Sequence, residues 1–279
     1  MSCLLFARIS TRIPYPLGSA WLASLLLSVN AQAMQLERHI IAAAELSGLF
    51  HEVARPEESP GVYFQVLSKV LQDTGLNGHY ELIVMPLKRA KIGFIQQEYA
   101  CYSPGLGTFD KQTELPLVKN VLVSHSINQA IVRVVSAPNH PVVDDLNDIR
   151  STDLISMVRG IAMSEQMRRI ANKAAQFFLV NSELENISML QNGRVNYIFM
   201  FYPDALFAYQ QLGITTHFPY AKSLAPLIIN DNLVCHQQFA EDFALINQKI
   251  AQYQQNGTLR AILGDYYMIG TEYMQTSDK

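Results

Sequence analysis

Residues 192–210, NGRVNYIFMFYPDALFAYQ, decide the fold. Gly193 suits a left-handed helix C-cap, Val195 to Phe201 is an apolar run too short to span a membrane, and Pro203 suits the first turn of a new helix. A helix stop, a strand and a helix start in nineteen residues are the signature of an α/β chain. The carboxyl end of such a strand is where α/β proteins place binding chemistry. Here that end carries Phe201 and Tyr202, followed by one acid, Asp204.

The same alternation continues on both sides. Upstream, TDLISMV (152–158) reads as a strand, RGIAMSEQMRRIANKAA (159–175) as a turn and helix, QFFLV (176–180) as a strand, and SELENISMLQNG (182–193) as a helix opened by a Ser182/Glu185 capping box. Downstream, PDALFAYQQLG (203–213) reads as a helix and ITTHFPY (214–220) as a strand. An earlier half has the same plan: strand HIIAAAEL (39–46), helix PGVYFQVLSKVLQDTG (60–75), strand YELIVM (80–85), helix PLKRAKIGFIQQ (86–97) and short strand YACYS (99–103) before a Gly/Pro loop. Between the halves, KNVLVSHSINQAIVRVVSAPNHPVVDDLNDI (119–149) is β-rich and then loop-like. After the second half, SLAPLIINDNLVCHQQ (223–238) is β-rich again and precedes two C-terminal helices. Two extended segments flanking an α/β unit point to two lobes joined by two chain crossings, with a ligand site between them.

The first 33 residues read separately, as a secretory signal: Arg8 and Arg12 without acids, an apolar core LGSAWLASLLLSV and a small-x-small site at Ala31–Ala33. A membrane anchor is the alternative, but the core of 13 residues falls short of the ~20 that a spanning helix requires. Removing that segment from the 279 residues leaves 246, with 19 Lys and Arg against 24 Asp and Glu. A mildly acidic chain without a basic run gives no reason to expect nucleic acid. No later segment is long and apolar enough for a bilayer. The expected product is an exported, extracytoplasmic globular protein, not embedded in a membrane. Only Cys101 and Cys235 follow the cleavage site; an exported chain can oxidise such a pair, or leave two buried thiols, and spacing does not decide. No CxxC or HExxH appears, the seven His are scattered, and neither metal nor cofactor is expected.

The order of these elements resembles the family 3 extracellular solute-binding proteins, the periplasmic receptors of polar amino acid type ABC transporters. MPLKRA (85–90) is similar to that family's P-W-x-R-A, and MLQNGRVNY (189–197) to its L-x-x-G-R-x-D. MVRGIA (157–162) resembles the turn that opens its second lobe, and the segment from LVCHQQ (233–238) through INQKIAQYQQNGTLRAILGDYY (246–267) its C-terminal end. The resemblance implies an α/β, type II periplasmic-binding-protein fold, a Venus flytrap of two α/β lobes joined by two crossing strands. Lobe one would comprise 34–126 plus 222–279 and lobe two 127–221. It implies a monomer that binds a small molecule by hinge closure, performs no catalysis, and presents its closed form to an ABC permease. In this fold Cys101 and Cys235 would lie on neighbouring lobe-one strands, which implies a disulfide.

The departures bear on the ligand. Amino acid binders of the family hold the α-carboxylate with an Arg from the loop after the third strand of lobe one, because the planar guanidinium matches a carboxylate bidentately. Here that loop, 103–116, has only Lys111. The acid those proteins place seven residues beyond the Arg of G-R-x-D is Phe201 here. An ordinary α-amino acid is therefore not the expected ligand; an aromatic or partly apolar solute, or an anion held by Arg159, fits better.

The candidate contacts follow. Arg159 and Gly160 stand at a strand-to-helix turn that favours an anion, unless Arg159 pairs with Asp153. Asn181 and Ser182 end the next strand, with Ser182 also explained as an N-cap. Tyr102 and Ser103 end lobe one's third strand, and alternation lets one of them face the cleft. Phe201 and Tyr202 floor the site. His51 and Tyr63, with Phe50, flank the turn after the first strand, for ligand stacking or core packing. Arg89 lies on a helix, as a ligand contact or as an ion-pair partner of Glu81. Ser124 and His125 lack a nucleophile elbow. Two other functions remain open: a sensory or regulatory binding module, and a dehydratase-like enzyme, for which only Glu45, His51 and Asp204 offer acid–base groups.

Overall fold

The structure is a computed structural model that describes residues 38–46, 49–51 and 60–270; the signal segment lies outside them. Among the described residues ten strands form two five-stranded sheets. In the first sheet, β1 (His39–Ala44) runs parallel to β2 (Tyr80–Met85) on one side and to β3 (Cys101–Ser103) on the other. β10 (Val234–His236), antiparallel both to β3 and to β4 (Val121–Val123), completes it with β4 at the edge. In the second sheet, β6 (Leu154–Val158) is parallel to β7 (Gln176–Val180) and β8 (Tyr197–Tyr202). There β5 (Asn128–Ser136) lies antiparallel between β8 and β9 (Leu227–Asp231).

Helices cover both faces of both sheets, which explains why the strands read as unbroken apolar runs. On β8, Tyr197, Phe199 and Phe201 enter one core while Ile198, Met200 and Tyr202 enter another, as the pleat requires. On β1, Ile41 and Ala43 face the core built with α1 (Val62–Asp73), α6 (Ala240–Gln255) and α7 (Thr258–Leu263). Ala42 and Ala44 face α2 (Leu87–Ile95). Helix α1 buries Tyr63, Val66, Leu67, Val70 and Leu71, the apolar stripe of a 3.6-residue period. In the second lobe α3 (Glu165–Lys173), α4 (Glu183–Gln191) and α5 (Asp204–Gln211) follow β6, β7 and β8. The Ser164 and Ser182 hydroxyls accept the backbone N–H of Met167 and Glu185, each at 3.2 Å, and so satisfy helix-start donors.

Three local expectations change. Residues 214–220 form no strand, only an isolated bridge from Tyr220 to Val135. The resemblance implies that residues 222–231 belong to the first lobe, yet Leu227–Asp231 pairs with β5 in the second sheet, and the chain changes sheets at Asn232. The run 223–238 is uniformly β-rich, so its composition carries no mark of that change. Third, α3 begins at Glu165, six residues after Arg159.

The two crossings are bonded to each other. Ser124 N–H donates to the Leu233 carbonyl (2.9 Å), the Ser124 hydroxyl oxygen accepts from Leu233 N–H (2.9 Å), and Ile127 N–H donates to the Asp231 carbonyl (2.7 Å). Ser124 thus splices the hinge. On β3 and β10 Cys101 and Cys235 face each other in register, and their sulfurs are bonded. His236 N–H donates to the Ala100 carbonyl, which makes 101/235 a pair without mutual hydrogen bonds, the kind that brings opposed side chains closest.

Candidate functional site

The parallel strands of both sheets point their carboxyl ends toward the gap between the lobes, and a cleft of about 310 Å³ lies there. From lobe one it is lined by Glu45 and Leu46, just after β1, and by Pro86 and Leu87, where β2 gives way to α2. From lobe two come Val158, Arg159 and Ile161 after β6, Asn181, Ser182 and Glu183 after β7, and Phe201 and Asp204 at the end of β8. The volume sits at the lower end of the range for small-molecule sites.

The lobes touch around this cleft. A Cβ added to Gly160, whose φ is +82°, would lie 3.4 Å from Leu87 Cδ2. The rings of His51 and Phe207 stack at 6.1 Å. Arg168 Nη1 stands 3.4 Å from Asp110 Oδ2. At the hinge Tyr63 donates its hydroxyl to Asp231 Oδ2 at 2.5 Å, and Asn128 Nδ2 donates to the Tyr266 carbonyl at 2.7 Å.

The charges of the cleft are mainly acidic. Glu183, the first residue of α4, is buried; its Oε1 accepts from Phe201 N–H (2.8 Å) and its Oε2 from Asn186 Nδ2 (2.9 Å). Burial, with a smaller contribution from the charge of Asp204, outweighs these two hydrogen bonds and pushes its carboxyl up to about 8. Asp204 opens α5 and is buried, whereas Glu45 is exposed at the rim. Among the described residues Arg159 is the only base on the cleft wall; its guanidinium is exposed and Nη2 donates to the Leu179 carbonyl (3.1 Å), on edge strand β7.

Of the residues singled out in the sequence, Arg159, Asn181, Ser182 and Phe201 line the cleft, and Gly160 adjoins it. Arg159 does not stand at a helix start, because the dipole of α3 has faded six residues away. The amide of Asn181 is not free: backbone and side-chain N–H both donate to Glu185 Oε2. Tyr102 is buried between Phe94 and Phe109 and bonds Thr108 through its hydroxyl, and Ser103 is buried beside it; neither lines the cleft. Tyr63 belongs to the lobe-one core and the hinge. Tyr202 faces the other side of β8, with Tyr209 and Tyr220. Lys111 and Arg89 are exposed and away from the cleft wall, and His51 stacks on Phe207. Asp204 and Glu45, considered only as acid–base groups, do line the cleft.

Glu183 was missed. Its neighbour Glu185 accounted for the capping box, so a second acid in the first turn drew no attention; an acid directly after a strand-end N-cap is the signal that could have found it.

No family model matches the chain, and no curated protein matches it. Solved structures do. The GluR0 ligand-binding core in complex with L-glutamate superposes with TM-score 0.62 at 10% identity, over 82% of this chain and 98% of that one. A histidine kinase sensor domain with similarity to periplasmic binding proteins gives 0.62 at 10% identity, over 83% and 96%. The substrate binding protein of an amino acid ABC transporter gives 0.60 at 13% identity, over 83% and 99%. The fold is therefore that of the type II periplasmic binding proteins. Among the described residues no helix is long and apolar enough to cross a membrane, and no group of His, Cys, Asp and Glu is disposed for a metal ion.

Proposed function

We propose that the chain is a periplasmic solute-binding protein that captures a small organic solute between its lobes and closes on it. The observation that carries this reading is the cleft itself: one cavity, lined from both lobes by the residues that follow β1, β2, β6, β7 and β8. That is where open α/β sheets hold ligands. Leu87 and Gly160 already meet across the cleft; a solute would hold them together over itself, and differential contact in the closed state would drive the equilibrium. Delivery to an ABC permease by a monomer is the role we assign, in keeping with the similarity to a transporter's substrate binding protein. A sensory role is the second reading, in keeping with the similarity to a kinase sensor domain. A permease and an ATPase encoded next to the gene would favour uptake; a kinase or cyclase fused or adjacent would favour sensing.

The binding claim has a direct test. Amino acids, organic acids, amines and short peptides are screened for thermal stabilisation of the mature protein, and each hit is repeated with Leu87→Trp, whose indole would occupy the closing gap. The expected outcome is a hit that Leu87→Trp abolishes. A hit that Leu87→Trp leaves intact would place binding elsewhere.

A further inference from the structure

After α7 the chain makes a short 3₁₀ turn, Gly264–Tyr266, and continues to Gly270. Its side chains and its backbone go to different lobes. The rings of Tyr266 and Tyr267 pack against the lobe-one core, and the guanidinium of Arg260 on α7 lies 4.8 Å over the Tyr267 ring. The backbone turns to Asn128, the first residue of β5 in lobe two. Asn128 is buried, and both ends of its amide are used: Nδ2 donates to the Tyr266 carbonyl at 2.7 Å, and Oδ1 accepts from Met268 N–H at 2.8 Å. An amide suits this place because it offers a donor and an acceptor to two backbone groups at once. Asn128 is also the register partner of Asp231, so the segment is fastened where the two crossings lie side by side.

Elsewhere the segment stands off lobe two. A cavity of about 520 Å³ lies between Asp265 and Tyr266 on one side and Leu206, Tyr209, Ile214 and His217 of lobe two on the other. The hold on that lobe therefore rests on the bonds to Asn128 more than on dense packing. The two crossings are continuous chain and cannot part, whereas these bonds can. Because the rings sit on lobe one and Asn128 belongs to the lobe-two sheet, rotation of lobe two draws Asn128 away from the segment, and a hydrogen bond does not survive a separation beyond about 3.5 Å. We propose that residues 264–270 are a strap that latches the hinge: while its two bonds to Asn128 hold, lobe two keeps the angle seen here, and a change of angle breaks them. Each bond then biases the equilibrium between lobe angles, and through it the affinity for a solute that requires one of them.

The lobe angle is read without any solute, as the distance between spin labels on Gln72→Cys in lobe one and Gln191→Cys in lobe two, both exposed helical positions. Two substitutions cut the latch from opposite sides. Asn128→Leu is similar in shape and removes both bonds. Met268→Pro removes one donor from the strap; Tyr267, at φ −74° and ψ 113°, is already close to the extended backbone that a residue before proline adopts. Met268→Ala, which keeps the N–H and shortens the side chain, is the control. The mature protein should give one main distance. Met268→Pro should raise the share of molecules outside it by about two- to tenfold, the effect of one hydrogen bond, and Asn128→Leu by more, while Met268→Ala leaves it unchanged. If Asn128→Leu does not fold, the Met268 pair decides alone. Equal distributions in wild type and Met268→Pro, or equal broadening in Met268→Pro and Met268→Ala, would overturn the latch. No solute enters the measurement, so that failure would leave the cleft as the proposed binding site.

Discussion

Asp231 links the hinge to stability in a way that pH exposes. Its carboxyl lies at the end of β9, where the chain leaves the second sheet, and it is buried with the Tyr63 hydroxyl as its hydrogen-bond donor. Burial raises it from 3.8 to about 7, and the bond from Tyr63 offsets only part of that. Around it, Tyr63 and Tyr102 are both held protonated, Tyr63 well above its ordinary value, and the nearby Asn128 is neutral. In the folded protein Asp231 therefore keeps a proton that the unfolded chain releases above about 4. Unfolding gives up that proton, so the contribution of Asp231 is greatest below 3.8 and is lost as the pH rises toward 7. About 3 units at 1.36 kcal/mol each amounts to roughly 4 kcal/mol. Asp231→Asn keeps the acceptor for Tyr63 and removes the titration. Urea unfolding of both proteins at several pH values between 4 and 9 reads the difference. The stability of wild type relative to Asp231→Asn should fall by about 1.4 kcal/mol per pH unit between about 4 and 7, then level off. A difference that is flat with pH would refute the reasoning.

Other outcomes follow from particular contacts. Replacing Cys101 and Cys235 together by Ser opens a loop closed over a sequence separation of 134, for which chain entropy gives a loss near 5 kcal/mol in urea unfolding; a loss under about 1 would mean the pair contributes no constraint. Gly107→Ala places a Cβ 2.0 Å from Ile229 Cγ2, where the loop after β3 meets β9, and should cost about 1–3 kcal/mol of stability; a neutral result would show that this contact relaxes freely. Arg168→Ala removes a half-exposed ion pair with Asp110 across the lobes and should cost under about 1 kcal/mol, less still at high salt.

The architecture was legible because its signals are local and repeated. The alternation of short apolar runs with helical periodicity recurs through 152–211, and each helix start there carries a Pro or a hydroxyl cap. The segment 214–220 failed for the opposite reason: its β-branched and aromatic residues suit a strand, but only Tyr220 finds a bridging partner. The site was half legible. Strand ends gave Arg159, Asn181, Ser182 and Phe201, since chain order alone puts them beside the gap. Which side of a strand end faces that gap depends on register and on loop length, and neither is written in the local sequence. Tyr102 and Tyr202 turned into cores by one step of the pleat, and the six-residue interval before α3 separated Arg159 from a helix dipole. Glu183 and Asp204 sit at first helical positions, where a stabilising role for an acid is so common that it concealed their place in the cleft.

The central claim is that a solute enters between the lobes and closes them. Small-angle scattering of the mature protein, with and without a saturating ligand identified by thermal shift, measures that closure. The radius of gyration should decrease in wild type and stay constant in Leu87→Trp. Calorimetric binding to wild type with no change in the radius of gyration, or an equal decrease in Leu87→Trp, would contradict the account.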